Sequence, residues 1–308
     1  MNYNNYHFTI PSGLNIRVIT NTDAKNEADD QYAIVHTMLS PRFENVGMIA
    51  AHFGDIKSPH TMKDSYDEIV KLFDLMKMDK SIITCGAPYA MPDEKVPVDS
   101  PGAQLIIEEA MKDSDIPLFI TFLGPLTDMA SAYLLEPRIA ERLTCIWIGG
   151  GVYPNGGAEY NLSNDIAAAN AVFNSPIPLW QVPKNVYQQM LVSIVELEER
   201  IRPQGELGKY LFEQLVEHAH SKFAYRIPVP PGGRTGETWV LGDNPAVGLM
   251  LWDHPNDFDW IPAPNFTQDM HYIHNLSNRP IRVYKHVDSR FILEDMYAKI
   301  NKFTRISS

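Results

Sequence analysis

Four acidic side chains, Asp23, Glu27, Asp29 and Asp30, fall within residues 23–30. They follow an apolar run, "LNIRVIT" (14–20), and precede a segment with helical spacing. Carboxylates gathered at a strand end have two ordinary uses. They cap the next helix, whose first turn favours acids, or they hold a hard cation such as Ca²⁺ through oxygen ligands. Capping accounts for one or two acids. It leaves Asp23 facing Asp29 and Asp30 across a short loop, where like charges repel unless a cation intervenes.

Other chemistries fail on the spacing. An EF-hand beginning at Asp23 needs Gly at its sixth position and Glu at its twelfth; the chain has Ala28 and Ile34 there. A phosphatase of the Asp-x-Asp type needs a nucleophilic acid where Asn21 stands. The glycine cluster "GGGVYPNGG" (149–157) has Pro154 at the third glycine of a dinucleotide fingerprint.

The elements that must position these acids read as alternating strands and helices. Strand-like runs cover 14–20, 45–51, 81–85, 117–123, 143–149 and 177–182, with helical segments near 29–39, 60–77, 102–113, 126–135 and 164–173. This rhythm predicts an α/β fold, with a mainly parallel central sheet, helices on both faces and extra C-terminal helices. Ligands in such sheets bind beyond the carboxyl ends of the strands. From about 190 the pattern turns helical, and the Pro/Gly-rich stretch 226–242 is expected to cap the ligand edge. With no linker or repeat in view, residues 1–308 read as one domain.

Composition narrows the function. With 308 residues and 44% hydrophobic content, a sizeable core can form. A net charge of −12 argues against nucleic acid or an anionic membrane as partner and suits a cation. Cys85 and Cys145 lie in strand-like runs and read as reduced core thiols. The start "MNYNNYHFTIPSG" does not read as a signal peptide and no apolar run approaches the ~18 residues of a membrane span, so a cytoplasmic location is the expectation.

Five segments, in order, resemble the nucleoside hydrolases, the inosine–uridine-preferring N-ribohydrolases. "NTDAKNEADD" (21–30) is similar to their Asp-x-Asp-x-Gly-x-Asp-Asp motif, with Asn21 for the first acid and two extra residues in the loop. "AAHFGD" has Asp55 in the place of an Asn, and "GPLTD" (124–128) stands for "GPLTN". "IGGG…AEYNLSNDIAAANAVF" and "LGDNPAV" complete the set.

The resemblance implies a nucleoside hydrolase fold, a homo-oligomer (dimer or tetramer), and Ca²⁺ held by Asp23, Asp30, Asp243 and the carbonyl of Leu123. It implies a water held by that cation, with Asp23 as the catalytic base, attacking a ribosyl carbon as the base departs. Asp29, Asp55, Glu159 and Asn161 are expected on the ribose, with Asn155 reaching its 5′-hydroxyl. Asp128 and Asp165 are expected to cap the helices that follow them. Departures gather at the leaving group. Gly242 stands where many members carry His, and Trp239 is available either to stack on a base or to pack under a loop. The alternatives are a non-catalytic Ca²⁺- and ribosyl-binding protein, or a hydrolase of a different ribosyl or glycosyl compound.

Overall fold

Strand β1 (Ile16–Thr22) is buried at every position, as a strand covered on both faces must be. The computed structural model describes residues 3–221 and 236–307. Within it, β1 pairs in parallel with β2 (Phe43–Ala50) on one side and β4 (Leu118–Phe122) on the other. β3 (Ile83–Cys85) flanks β2; β5 (Thr144–Ile148) and β6 (Leu179–Val182) continue beyond β4. The eight-stranded order is β3-β2-β1-β4-β5-β6, then Pro280–Tyr284, then Phe258–Pro262. Only that last edge strand is antiparallel within this sheet.

Side chains along β1 alternate between two cores. Ile16 and Val18 join one cluster with α1 (Asp30–Met38), α2 (Thr61–Leu75) and the late helices. Ile19 joins the other, with α3 (Pro101–Met111), α4 (Thr127–Leu135) and α6 (Ile166–Asn174). Helices therefore cover both faces, as the alternating pattern predicts. The first six strands and five helices fall within a few residues of their expected places.

The last two strands of the sheet lack the apolar signal of the others. Phe258–Pro262 carries Asp259 and an exposed Trp260 at an open edge, so burial imposed no apolar pattern on it. The C-terminal helix Ser289–Ser307 closes the face that α1 occupies. Residues 226–235 of the expected capping stretch lie outside the described residues. Among the described residues, no helix is long and apolar enough to cross a membrane.

Strand order reverses between β1 and β4, because β2 and β3 are added on one side and β5 and β6 on the other. The connecting chains leave in opposite directions there and open a crevice at the carboxyl ends. Asp23 follows β1 at that crevice, and Leu123 follows β4.

Candidate functional site

Carboxylates gather at the crevice. Asn21 is paired with Phe122 across the two strands, and Leu123 N–H donates to Asn21 O at 2.9 Å. Asp23 is thereby set beside Gly124, where an added Cβ would lie 2.9 Å from the Asp23 Cγ. Asp29 and Asp30 arrive on the first turn of α1, and Asp243 precedes the helix Asn244–Leu251. Carboxylate oxygens of Asp29, Asp30 and Asp243 lie within 4.8 Å of one another, and all three residues are buried. Asp23 and Glu27 line the same cavity, of about 30 Å³, together with Leu123, Glu159, Asn161, Tyr187 and Gly242. That volume suits an ion or a water.

Capping does not explain these acids. Asp29 and Asp243 occupy N-cap positions, yet neither side chain makes a capping bond. Asp165 does cap α6, accepting from Ala168 N–H at 2.8 Å. Asp128, also expected to cap its helix, does not. It sits inside α4, and its Oδ2 accepts from Asn21 Nδ2 at 2.8 Å. Its Oδ1 accepts from Ala87 N–H at 2.9 Å and Ser100 Oγ at 2.6 Å. Asn21 and Asp128 are therefore one buried pair. Where the motif expects acid at 21 and amide at 128, this chain has exchanged donor and acceptor.

Crowded burial opposes the charged forms. Burial pushes Asp23 well above the usual carboxylate range, against the pull of the Asn26 hydrogen bond and the Lys57 charge. Burial likewise raises Asp29, reinforced by the charges of Asp30 and Glu27. Asp30 and Asp243 are raised by burial and then by their neighbouring carboxylates. Two helix N-termini point their positive ends at the group. An all-oxygen set of close, buried carboxylates plus a backbone carbonyl fits a hard divalent cation. Asp29, Asp30 and Asp243 have the composition and spacing to hold a metal ion.

Beside the acids stands a saturated hydrogen-bond frame. Glu159, the N-cap of the short helix α5 (Tyr160–Asn164), accepts from the backbone N–H groups of Gly150, Asn161 and Leu162 at 2.9–3.1 Å. Tyr187 OH supplies a fourth, longer bond at 3.3 Å. A carboxylate has about four acceptor sites, so a sugar hydroxyl would have to displace Tyr187. Asn161 Nδ2 donates to Leu123 O at 2.7 Å and Ile148 O at 2.8 Å, pinning the ends of β4 and β5. Both its amide hydrogens are used, which leaves its Oδ1 as the group able to receive a hydroxyl.

An open cleft of about 820 Å³ adjoins the small cavity and shares Asn26, Glu159 and Tyr160 with it. Phe53, Ile56 and Tyr89 add apolar walls. Asp55, expected on the ribose, is exposed and lines this outer cleft, not the acid cavity. Asn155 is exposed on the 152–157 turn, its carbonyl bonded to Tyr272 N–H at 3.2 Å, and lines neither space. Trp239 lies in the two-stranded pair Leu191–Ser193/Thr238–Val240, edge-on to His218, and also lines neither.

His52 does reach the cleft, but both its nitrogens are engaged. Gly54 N–H donates to Nδ1 at 3.3 Å, so Nε2 carries the proton and donates to Thr127 Oγ1 at 2.9 Å. Burial pushes its pKa down to about 4. Missed from the sequence were Asn26, Asn164 and Tyr187. The first gave a signal, since it falls in the loop lengthened by two residues. The others gave none.

A family model for inosine-uridine preferring nucleoside hydrolases matches residues 18–288. The "Probable uridine nucleosidase 2" of Arabidopsis thaliana is 28% identical over 142 residues, 44% of each chain. The inosine-uridine preferring nucleoside hydrolase of Leishmania major is 33% identical over 131 residues, 41% of each chain. These matches span less than half the length of either relative. Among solved structures, the purine-preferring ribonucleoside hydrolase from Gardnerella vaginalis superposes with a TM-score of 0.74 at 21% identity, over 94% of this chain and 99% of the other. At that identity the likeness speaks for the fold.

Proposed function

The chain belongs to the inosine-uridine preferring nucleoside hydrolase family, and from that premise we propose that it hydrolyses the N-glycosidic bond of a ribonucleoside to free base and ribose. The observation that carries this is the small acid cavity at the strand-order reversal, adjoining a larger and more apolar cleft. The small cavity has room for the cation and its water, and the larger cleft beside it has room for the sugar and the leaving group.

In this proposal Asp23, Asp30, Asp243 and the carbonyl of Leu123 would hold Ca²⁺, with Asp29, whose carboxylate lies within 4.8 Å of those of Asp30 and Asp243, beside them. The ion would neutralise the acids and acidify a water near them. Asp23 takes the proton from the attacking water. As the bond breaks its electron pair leaves with the base, which takes a proton from solvent in the cleft, while the positive charge growing on the ribosyl ring is stabilised by the surrounding carboxylates. Ribose hydroxyls donate to Asp29 and to Asn161 Oδ1, and one displaces Tyr187 from Glu159. The leaving group lies in the outer cleft among Phe53, Tyr89 and Tyr160, with Asp55 at its rim. A cytoplasmic homo-oligomer built from one domain completes the proposal, checked by cell fractionation and light scattering.

A second reading draws on the leaving-group side. Gly242 offers no acid, and His52 has no free nitrogen. General acids typically contribute ~10²–10⁴ in rate. With neither Gly242 nor His52 supplying one among the described residues, a ribosyl or other glycosyl compound whose leaving group departs without a proton is favoured.

The test is release of free ribose from a panel of ribonucleosides and from p-nitrophenyl riboside, with Ca²⁺ or with chelator. Ribose from nucleosides supports the first reading, and ribose from the activated riboside alone supports the second. Release from neither substrate, with Ca²⁺ bound, leaves a binding protein.

A further inference from the structure

Asp23 is gripped from behind. Its Oδ2 accepts from Asn26 Nδ2 at 2.9 Å, and Asn164 Nδ2 stands 3.5 Å from the same oxygen. Its Oδ1 faces the other way, toward Gly124, where an added Cβ would lie 3.0 Å from it. Gly124 follows Leu123, which lines the acid cavity together with Asp23.

Asn26 is buried and borders both the acid cavity and the cleft. Its backbone N–H also bonds Asp23 O at 2.7 Å, closing a turn. An amide can offer either end to a neighbour, and only its NH₂ end attracts a carboxylate. Lys57 decides which end is offered. Its ammonium donates to Asn26 Oδ1 at 3.0 Å and to the Asn26 carbonyl. An ammonium has donors and no acceptor. Asn26 must therefore present oxygen to Lys57, which turns NH₂ toward Asp23. Lys57 comes from the loop after β2, the same loop whose Phe53 and Ile56 wall the cleft.

We propose that Lys57 and Asn26 are positioning residues that fix the Asp23 carboxylate, reserving its Oδ1 for the cation and the attacking water. The hinge between the leaving-group wall and the acid cavity is then this one ammonium–amide–carboxylate chain. Neither residue touches the reacting atoms. The inference rests on the function proposed above only in giving Asp23 a part in cation binding or proton transfer.

The experiment uses the full chain with Asn26→Ala, Lys57→Met and Lys57→Arg. Terbium(III) affinity is read by luminescence, and kcat and KM are read on the best substrate at saturating Ca²⁺. Residues that orient ligands from behind commonly contribute 10–100-fold. Asn26→Ala is expected to weaken terbium binding and to lower kcat by about that factor, while KM moves little because the loss falls on proton transfer. Lys57→Met should follow in the same direction. Lys57→Arg, also a donor without acceptors, should restore most of both.

A folded Asn26→Ala protein with unchanged terbium affinity and kcat overturns the inference. So does Lys57→Arg as damaged as Lys57→Met, which would assign the effect to packing of the lysine stem. If the unaltered protein releases ribose while the variants behave normally, the inference fails and the proposed function stands. If terbium binding weakens as expected but no substrate is cleaved, the function fails and the positioning role stands.

Discussion

Replacing Asp30 by Asn should stabilise the metal-free protein and abolish its response to Ca²⁺. Oxygens of Asp29, Asp30 and Asp243 lie within 4.8 Å of one another. At an effective dielectric of about 20, two unit charges at that separation repel by ~3.5 kcal/mol. Asp30 takes part in two of the three pairs. Protonation limits the cost, since neutralising an ordinary aspartate at pH 7 takes ~4 kcal/mol. Asn keeps an oxygen for the Thr22 hydroxyl that Asp30 now accepts from, and forfeits ~0.3–1 kcal/mol of helix-dipole attraction. The metal-free variant should therefore gain ~2–3 kcal/mol, which amounts to several degrees in Tm for a chain of this size.

The unaltered protein, by contrast, should gain ~2.7 kcal/mol from Ca²⁺ at a hundredfold excess over its Kd. The assay is thermal unfolding of both proteins in chelator and in Ca²⁺. Their order should reverse, or at least close, when Ca²⁺ is added. If Asp30→Asn melts below the unaltered protein in chelator and still gains from Ca²⁺, the acids are not a repulsive group awaiting a cation.

The same acids set a pH dependence. Their folded pKa values lie above the unfolded ones, so between the two the folded state holds more protons. Metal-free stability is then complete below the unfolded aspartate pKa and is lost as pH rises through the folded values. Tm in chelator should fall from acid toward neutral pH, and the Ca²⁺-induced gain should grow over the same range. Asn21→Asp alone sets two carboxylates against each other at the Asp128 contact and should cost about 3–5 kcal/mol. Asn21→Asp combined with Asp128→Asn restores the bonds, since the new amide at 128 can accept from Ala87 and Ser100 and donate to the new carboxylate at 21; denaturant unfolding of the three proteins checks it. Gly242→His should destabilise by about 1–3 kcal/mol, because a Cβ there meets Tyr187 at 3.0 Å and Asp29 at 3.3 Å; adding Tyr187→Ala should recover part of that loss in the same unfolding assay. A 2′-deoxynucleoside should be cleaved several powers of ten less well than its ribonucleoside, since it leaves buried acceptors unpaired. Equal kcat/KM for the two would refute ribose recognition by the acids.

The alternation of elements and the position of the acids at strand ends are legible in the sequence. Period-2 and period-3.6 patterns are local, and each reports burial of one short segment. The sequence also marked Asp23, Glu27, Asp29 and Asp30 as chemically odd, because clustered like charge has few stable explanations; Asp243 was legible only through the motif around it. Asn161 and Glu159 were legible through the motif around them, though their saturation with backbone bonds was not. Tertiary structure alone decided which side chains share a space. Asp55 occupies a motif position and Asn155 and Trp239 lie next to motif segments, yet Asp55 opens on the outer cleft while Asn155 and Trp239 line neither space. Asn21 and Asp128, 107 residues apart, read separately as a lost acid and a helix cap. Only the pairing of β1 with β4 makes them one hydrogen bond, because donor and acceptor are properties of the pair and the chain spells its two halves far apart. The same holds for Lys57, Asn26 and Asp23, whose orientation is settled by which atoms meet across a loop.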